Sequence, residues 1–150
     1  MSYCKDKVAV VTGAGGTLCS CIAIDLAKQG AKVVLIGRTA AKLEKTKAAI
    51  DAAGGVCRIE AGDVTDEKRM QEIADWVEKE WGPCKFLVNG AGGNNVKAMP
   101  TRLRFSEADL QPTADFDKDR GFWDIDLAAF KSVLEINTIG TVIPSKIFGL

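Results

Sequence analysis

The chain has 150 residues, 20 Lys+Arg against 20 Asp+Glu for a formal net charge of zero, 47% hydrophobic and 27% charged residues. This composition suits one globular domain able to bury a substantial core. It leaves no excess of basic charge to track a phosphate backbone, which argues against nucleic acid as a partner.

No apolar run approaches the roughly 20 residues of a membrane helix. Met1 to Lys7 holds no apolar stretch, so no signal peptide, no membrane partner and a cytoplasmic location are expected. The five cysteines (4, 19, 21, 57 and 84) are scattered, and no histidine accompanies them. Cys19 and Cys21 diverge on a helix, so small buried hydrophobes in a reducing compartment are expected, with no metal site. Without histidine, Ser-His-Asp and Cys-His mechanisms are excluded from these residues.

In chain order, Lys7 to Thr12 (KVAVVT) reads as a buried strand ending in glycines. Thr17 to Gln29 turns helical, with Leu18, Ile22 and Leu26 at i, i+4 spacing and Gly30 after it. Ala31 to Ile36 is a second buried strand. Ala40 to Ala53 is a helix with Leu43 and Ile50 on one side, stopped by Gly54-Gly55, and Val56 to Ala61 is a third strand. Asp66 to Trp81 is an amphipathic helix with the stripe Met70, Ile73, Ala74 and Val77; Gly82-Pro83 ends it before Phe86 to Val88, a fourth strand. Strands alternating with helices through short turns imply right-handed βαβ units, a parallel sheet and helices on both faces. The expected fold is an open, doubly wound α/β sheet in the order 3-2-1-4, with strands near residues 7–12, 32–36, 56–61 and 85–89.

Gly92 to Gly121 is polar, irregular and longer than most connections. Its Asp115-x-Asp117-x-Asp119 run fails as a calcium loop, because Arg120 and Asp126 stand where a glycine and a bidentate glutamate belong. A final helix is expected from about Asp126, with Asp124 or Asp126 as its N-cap and Leu127, Phe130, Val133, Leu134, Asn137 and Thr141 at helical spacing. The chain reaches Leu150 in an apolar stretch without a cap, which reads as a cut before a fifth strand.

Thr12-Gly13-Ala14-Gly15-Gly16-Thr17 lies between the first strand and the first helix. It is either an ordinary glycine turn or a place where backbone approaches a pyrophosphate at a helix N-terminus; Gly13 and Gly15 fit the dinucleotide fingerprint and Leu18 does not. The second strand ends in Gly37-Arg38-Thr39 with no carboxylate. Arg38 is therefore a solvated loop residue or a cation for the 2′-phosphate of NADP.

Gly62-Asp63-Val64-Thr65 after the third strand, Asn89-Gly90-Ala91-Gly92 after the fourth and Asn137-Thr-Ile-Gly140 in the last helix complete a set. In order and separation, these segments and Thr12-Gly13 resemble the short-chain dehydrogenase/reductase family over the whole chain. The resemblance implies a Rossmann-type NAD(P)-binding domain over residues 1–150, incomplete before strand five. It implies cofactor contacts from Gly13, Gly15, Gly16, Thr17, Leu18 and Arg38, with Asp63 and Val64 beside the adenine and Asn89, Gly90, Ala91 and Gly92 lining the cleft. It gives Asn137 a catalytic place, holding a water in a proton relay.

The family's other catalytic residues, a serine and a Tyr-x-x-x-Lys, would follow Leu150. The Tyr3/Lys7 pair matches that spacing by chance, at the wrong end of the first strand. Thr17 and Cys19 stand where the family pattern has glycines, and Gly90 replaces its second asparagine. These variants resemble a branch labelled D-mannonate (fructuronate) oxidoreductase. The expected function is hydride transfer between NADP, with NAD as the alternative, and a small carbonyl or alcohol substrate such as a keto sugar acid, in a homo-oligomer. A non-catalytic dinucleotide-binding module and an unrelated nucleotide-binding enzyme of similar fold, such as a methyltransferase, are the other readings.

Overall fold

The structure is a computed structural model that describes residues 2–102, 104–111 and 119–149. Four strands, β1 (Val8–Thr12), β2 (Lys32–Gly37), β3 (Val56–Ala61) and β4 (Cys84–Val88), pair in parallel in the order β3-β2-β1-β4. Helices α1 (Thr17–Lys28), α2 (Ala40–Ala52) and α3 (Glu67–Trp81) make the crossovers. This is the doubly wound α/β sheet expected from the alternation of buried strands and amphipathic helices.

Alternate side chains of the two central strands build a core on each face. Ala9, Val11, Val33 and Leu35 pack with Cys19, Ala23 and Ala27 of α1 and with Leu43 and Ile50 of α2. Val8, Val10, Val34 and Ile36 pack on the other face with Met70, Ile73 and Val77 of α3 and with Phe148. Asp66 caps α3 by accepting from the Arg69 N–H at 3.0 Å.

The structure adds one distinction among the strands and corrects two expectations. β3 and β4 are sheet edges and only partly buried, with Val56 51% exposed, whereas β1 is wholly buried. The buried face of α1 is Cys19, Ala23 and Ala27, while Leu18 is 73% exposed. Cys19 lies against the backbone turn after β4 and Ala27 against Gly55, close approaches that suit small residues, and the i, i+4 pattern of Leu18, Ile22 and Leu26 marks a more exposed face. The final helix is not uniform: α4 (Leu127–Leu134) passes into a π-helical turn over Glu135–Ile139, then α5 (Gly140–Phe148) with Pro144 inside it.

Asp126 is the N-cap of α4, accepting from the Ala128 and Ala129 N–H groups. Asp124 instead accepts from the Gly121 N–H, bracing a short 3-10 turn over Phe122–Asp124. Between β4 and α4 the chain makes further 3-10 turns at Val96–Ala98 and Glu107–Leu110. Asp115 and Asp117 lie outside the described residues; Asp119 pairs with Arg102 through contacts of 2.6 Å. All five cysteines are free thiols, but only Cys4 and Cys19 are buried as expected; Cys57 and Cys84 on the edge strands are half-buried, and Cys21, on the outer side of α1, is exposed. Among the described residues, no helix is long and apolar enough to cross a membrane, and no group of His, Cys, Asp or Glu could hold a metal.

Candidate active site cleft

The carboxyl ends of the strands open into one cleft, walled by the turns that follow each strand. After β1, Gly13 takes φ +65, a left-handed conformation that disfavours a side chain. A methyl group there would also lie 2.5 Å from the Gly90 carbonyl oxygen, so the first and fourth turns touch through backbone. The Ala14 N–H donates to the Ile36 carbonyl, and the buried Thr46 hydroxyl of α2 donates to the Ala14 carbonyl at 3.0 Å. Gly15 and Gly16 then face the cleft, and no side chain caps α1. The first-turn N–H groups of Thr17 and Leu18 thus belong to a helix end that suits an anion.

After β2 and β3, Arg38 and Asp63 face each other across the cleft with a guanidinium–carboxylate distance of 3.8 Å. Asp63 Oδ1 accepts from the backbone N–H of Thr65 at 3.0 Å and from its hydroxyl at 2.8 Å. The Thr65 N–H, followed by its hydroxyl and by Arg38, holds the Asp63 carboxyl below the usual carboxylate range. Val64 is buried beside them, and Gly62 sits where a methyl would press on the Arg69 side chain at 3.0 Å.

After β4, the Thr12 hydroxyl accepts from the Gly90 and Ala91 N–H groups at 3.0 and 3.1 Å and donates to the Val88 carbonyl. This fixes Gly90, Ala91 and Gly92 as a cleft wall. The Asn89 side chain points elsewhere, donating to the Ser145 hydroxyl of α5 at 2.9 Å. Asn137 lies in the π-helical turn. Its amide donates to the Gly93 carbonyl at 2.7 Å and the Val133 carbonyl at 2.8 Å, and its Oδ1 accepts from the Gly93 N–H at 3.3 Å. Both donors are thereby engaged, leaving one acceptor lone pair.

Of the residues singled out from sequence, Gly13, Gly15, Gly16, Arg38, Asp63, Val64, Gly90, Ala91 and Gly92 come together in the cleft. Thr17 lines an adjoining groove between α1 and α2, Leu18 projects into solvent, and Asn89 and Asn137 brace the wall from behind. Sequence reasoning missed Lys42, Leu43 and Ile136 as lining residues. Lys42 stands one helical turn after the Arg38-Thr39 strand end, a spacing that could have flagged it. Tyr3 is exposed, with the Lys7 ammonium 3.2 Å from its ring centroid, at the amino end of β1 away from the cleft.

Comparison with known proteins agrees with this geometry. The short chain dehydrogenase family model matches residues 7–148. An uncharacterized oxidoreductase of Haemophilus influenzae is 33% identical over 144 residues, 96% of this chain and 48% of that protein. The uncharacterized oxidoreductase UxuB of Bacillus subtilis is 34% identical over 95% of this chain and 49% of its own. The chain therefore spans about half the length of these curated relatives.

Among solved structures, a protein from Haemophilus influenza provisionally named D-mannonate oxidoreductase, with bound NAD, superposes with a TM-score of 0.86 at 29% identity. That match covers 97% of this chain and 50% of that one. A metagenomic short-chain oxidoreductase in complex with NADP gives 0.71 at 27% identity, covering 97% and 56%. With matching motifs on a matching scaffold over nearly its whole length, the chain belongs to the short-chain dehydrogenase family.

Proposed function

We propose that residues 1–150 form the dinucleotide-binding domain of an oxidoreductase that transfers hydride between a nicotinamide cofactor and a small carbonyl or alcohol. The observation that carries this reading is a backbone-lined cleft running from the uncapped start of α1, past Arg38 and Asp63, to Gly90–Gly92. Such a surface suits a long, flat, doubly charged ligand, because glycines admit the pyrophosphate to within hydrogen-bonding reach of main-chain N–H groups. Gly13, Gly15 and Gly16 with the first-turn amides of Thr17 and Leu18 hold the pyrophosphate. Asp63 and Val64 flank the adenine, and Gly90 to Gly92 wall the nicotinamide half. When bound, the nicotinamide supplies the hydride donor or acceptor.

Asn137 keeps the Gly92–Gly93 backbone in place, and its remaining lone pair can accept from a water in a proton relay. Asn137→Ala is expected to lower the catalytic rate more than cofactor affinity, separable as a kcat loss at nearly unchanged KM for the cofactor.

Between the two cofactors, Arg38 favours NADP. Its guanidinium is 71% exposed at the end of a strand without a carboxylate, so a 2′-phosphate meets a cation there. NAD is the second reading, favoured by the NAD bound to the Haemophilus relative and by the Asp63 carboxylate that already faces Arg38. The same relative supports a keto sugar acid, fructuronate or its reduced partner D-mannonate, as substrate. Free thiols support a reducing, cytoplasmic setting, and the exposed Leu127, Phe130 and Leu134 of α4 support self-association.

Titration of the protein with NADP and NAD, with and without Arg38→Ala, tests the cofactor assignment. NADP affinity is expected to fall about tenfold in the variant and NAD affinity to hold. Equal binding of the two, unchanged by the substitution, returns Arg38 to a surface role. NADPH oxidation with fructuronate among a panel of keto acids tests the substrate.

A further inference from the structure

Cys19 and Gly90 meet where α1 passes beneath the turn that walls the cleft. Cys19 is buried, 6% exposed. A methyl placed on Gly90 would lie 2.0 Å from the Cys19 Sγ, 3.0 Å from the Thr12 carbonyl oxygen and 3.5 Å from the Cys19 Cβ. Carbon and sulfur in contact need well over 3 Å, so the thiol fills the space that a side chain at position 90 would take. The turn cannot simply retreat. On its other side its backbone rests against Gly13, and its N–H groups at 90 and 91 are held by the Thr12 hydroxyl. Burial pushes the Cys19 thiol up, away from the reactive thiolate, which leaves it a neutral packing group.

We propose that Cys19 is a positioning residue for the cofactor site, size-matched to Gly90, and that this pair sets the separation between α1 and the Gly90–Gly92 wall. The proposal rests on the reading of the cleft as a dinucleotide site. It makes the glycine at 90 a requirement of the cysteine at 19: while the thiol is present any side chain at 90 displaces the wall, and a smaller residue at 19 makes room for one. The departure from small-at-19 and large-at-90 is then one coupled exchange across the cleft floor.

A double-mutant cycle with Cys19→Ala, Gly90→Ala and the combined variant tests this by two readouts, the thermal midpoint without cofactor and the dissociation constants for NADP and NAD. Gly90→Ala alone is expected to lower the midpoint and to weaken cofactor binding about tenfold. Adding Cys19→Ala is expected to recover most of both losses, short of full recovery because the Thr12 carbonyl still crowds the new methyl at 3.0 Å. If Gly90→Ala does not accumulate as folded protein, a folded double variant supports the pairing and an unfolded one overturns it. Additive midpoint changes would overturn the coupling. Coupled midpoints with unchanged cofactor affinity in Gly90→Ala would overturn the positioning role and leave a packing contact. Wild-type protein that binds neither dinucleotide would overturn the cofactor reading and the positioning role with it, while the thermal cycle still decides whether the two residues are matched in size.

Discussion

From Val8 to Ala91 the chain is held by parallel strand ladders and by apolar side chains at regular spacing on two faces of a sheet. The described residues between Gly93 and Asp126 are held by charged side chains reaching over backbone. The Arg120 guanidinium, 3% exposed, donates to the carbonyls of Val96 at 2.5 Å and Met99 at 3.2 Å. Arg102 bridges Asp109 at 3.1 Å and Asp119 at 2.6 Å. The first region spreads its stability over many weak, interchangeable contacts; the second concentrates it in a few groups whose loss leaves polar atoms without partners. A substitution in one should therefore act gradually, and in the other locally and all at once.

The largest expected effect is an exception within the first region, where the cleft imposes its own demand. Gly13→Ala meets both a left-handed φ and a 2.5 Å approach to the Gly90 carbonyl. It should cost about 2–4 kcal/mol in denaturant unfolding and abolish cofactor binding. A variant of wild-type stability would show that the two turns are not locked together. Next in size, Arg120→Met should open the turns at Val96 to Thr101 to limited proteolysis while the unfolding midpoint of the sheet moves little. If the whole domain unfolds together, the contrast between the regions is wrong.

A smaller effect concerns acid. The Ser106 N–H and then Arg102 hold the Asp109 carboxyl below its ordinary value, and Arg102 does the same for Asp119. Depressed carboxyls stabilise the folded form above their ordinary values and lose that contribution as pH falls through the folded ones. The Arg102 pairings with Asp109 and Asp119 should thus hold down to about pH 4 and weaken only below it. The backbone N–H of Ser106, which donates to Asp109 at 2.7 Å, reports this by its chemical shift, as that of Thr65 does for Asp63. A midpoint at or above about 4 in either would remove the assigned partners. Smallest of all, Tyr3→Phe should leave cofactor affinity and turnover unchanged, since its ring lies against Lys7 and Phe86 at the far end of β1.

The same contrast governs what could be read from sequence. β-branched runs and the Met70/Ile73/Val77 stripe are local patterns, and the sheet order follows from them, as the glycine turn after β1 and Arg38 after β2 follow from theirs; Asp63, Val64 and Gly90 to Gly92 entered through the family resemblance instead. The direction in which Asn89 and Asn137 point depends on α5 and on Gly93, 56 and 44 residues away, and no local pattern encodes it. Nor does any period mark Arg102 and Arg120 as organising groups, because their partners are single atoms at irregular separations. Leu18 misled for a related reason: its apolar character fits the helix stripe, yet tight approach to a backbone turn admits only small residues on the inner face.

Seven of the fifteen residues that line the cleft are glycines, so much of what a ligand would touch there is main chain. Main chain is common to all residues and cannot be retuned by exchanging one side chain for another. Apart from the buried Leu43 and Val64 and the small Ala91, evolutionary change in ligand preference is consequently channelled through Arg38, Thr39, Lys42, Asp63 and Ile136. Directed evolution for altered nucleotide choice should return its changes there, and a library spread evenly over the domain would spend most of its diversity on positions that can lose the ligand but cannot choose it.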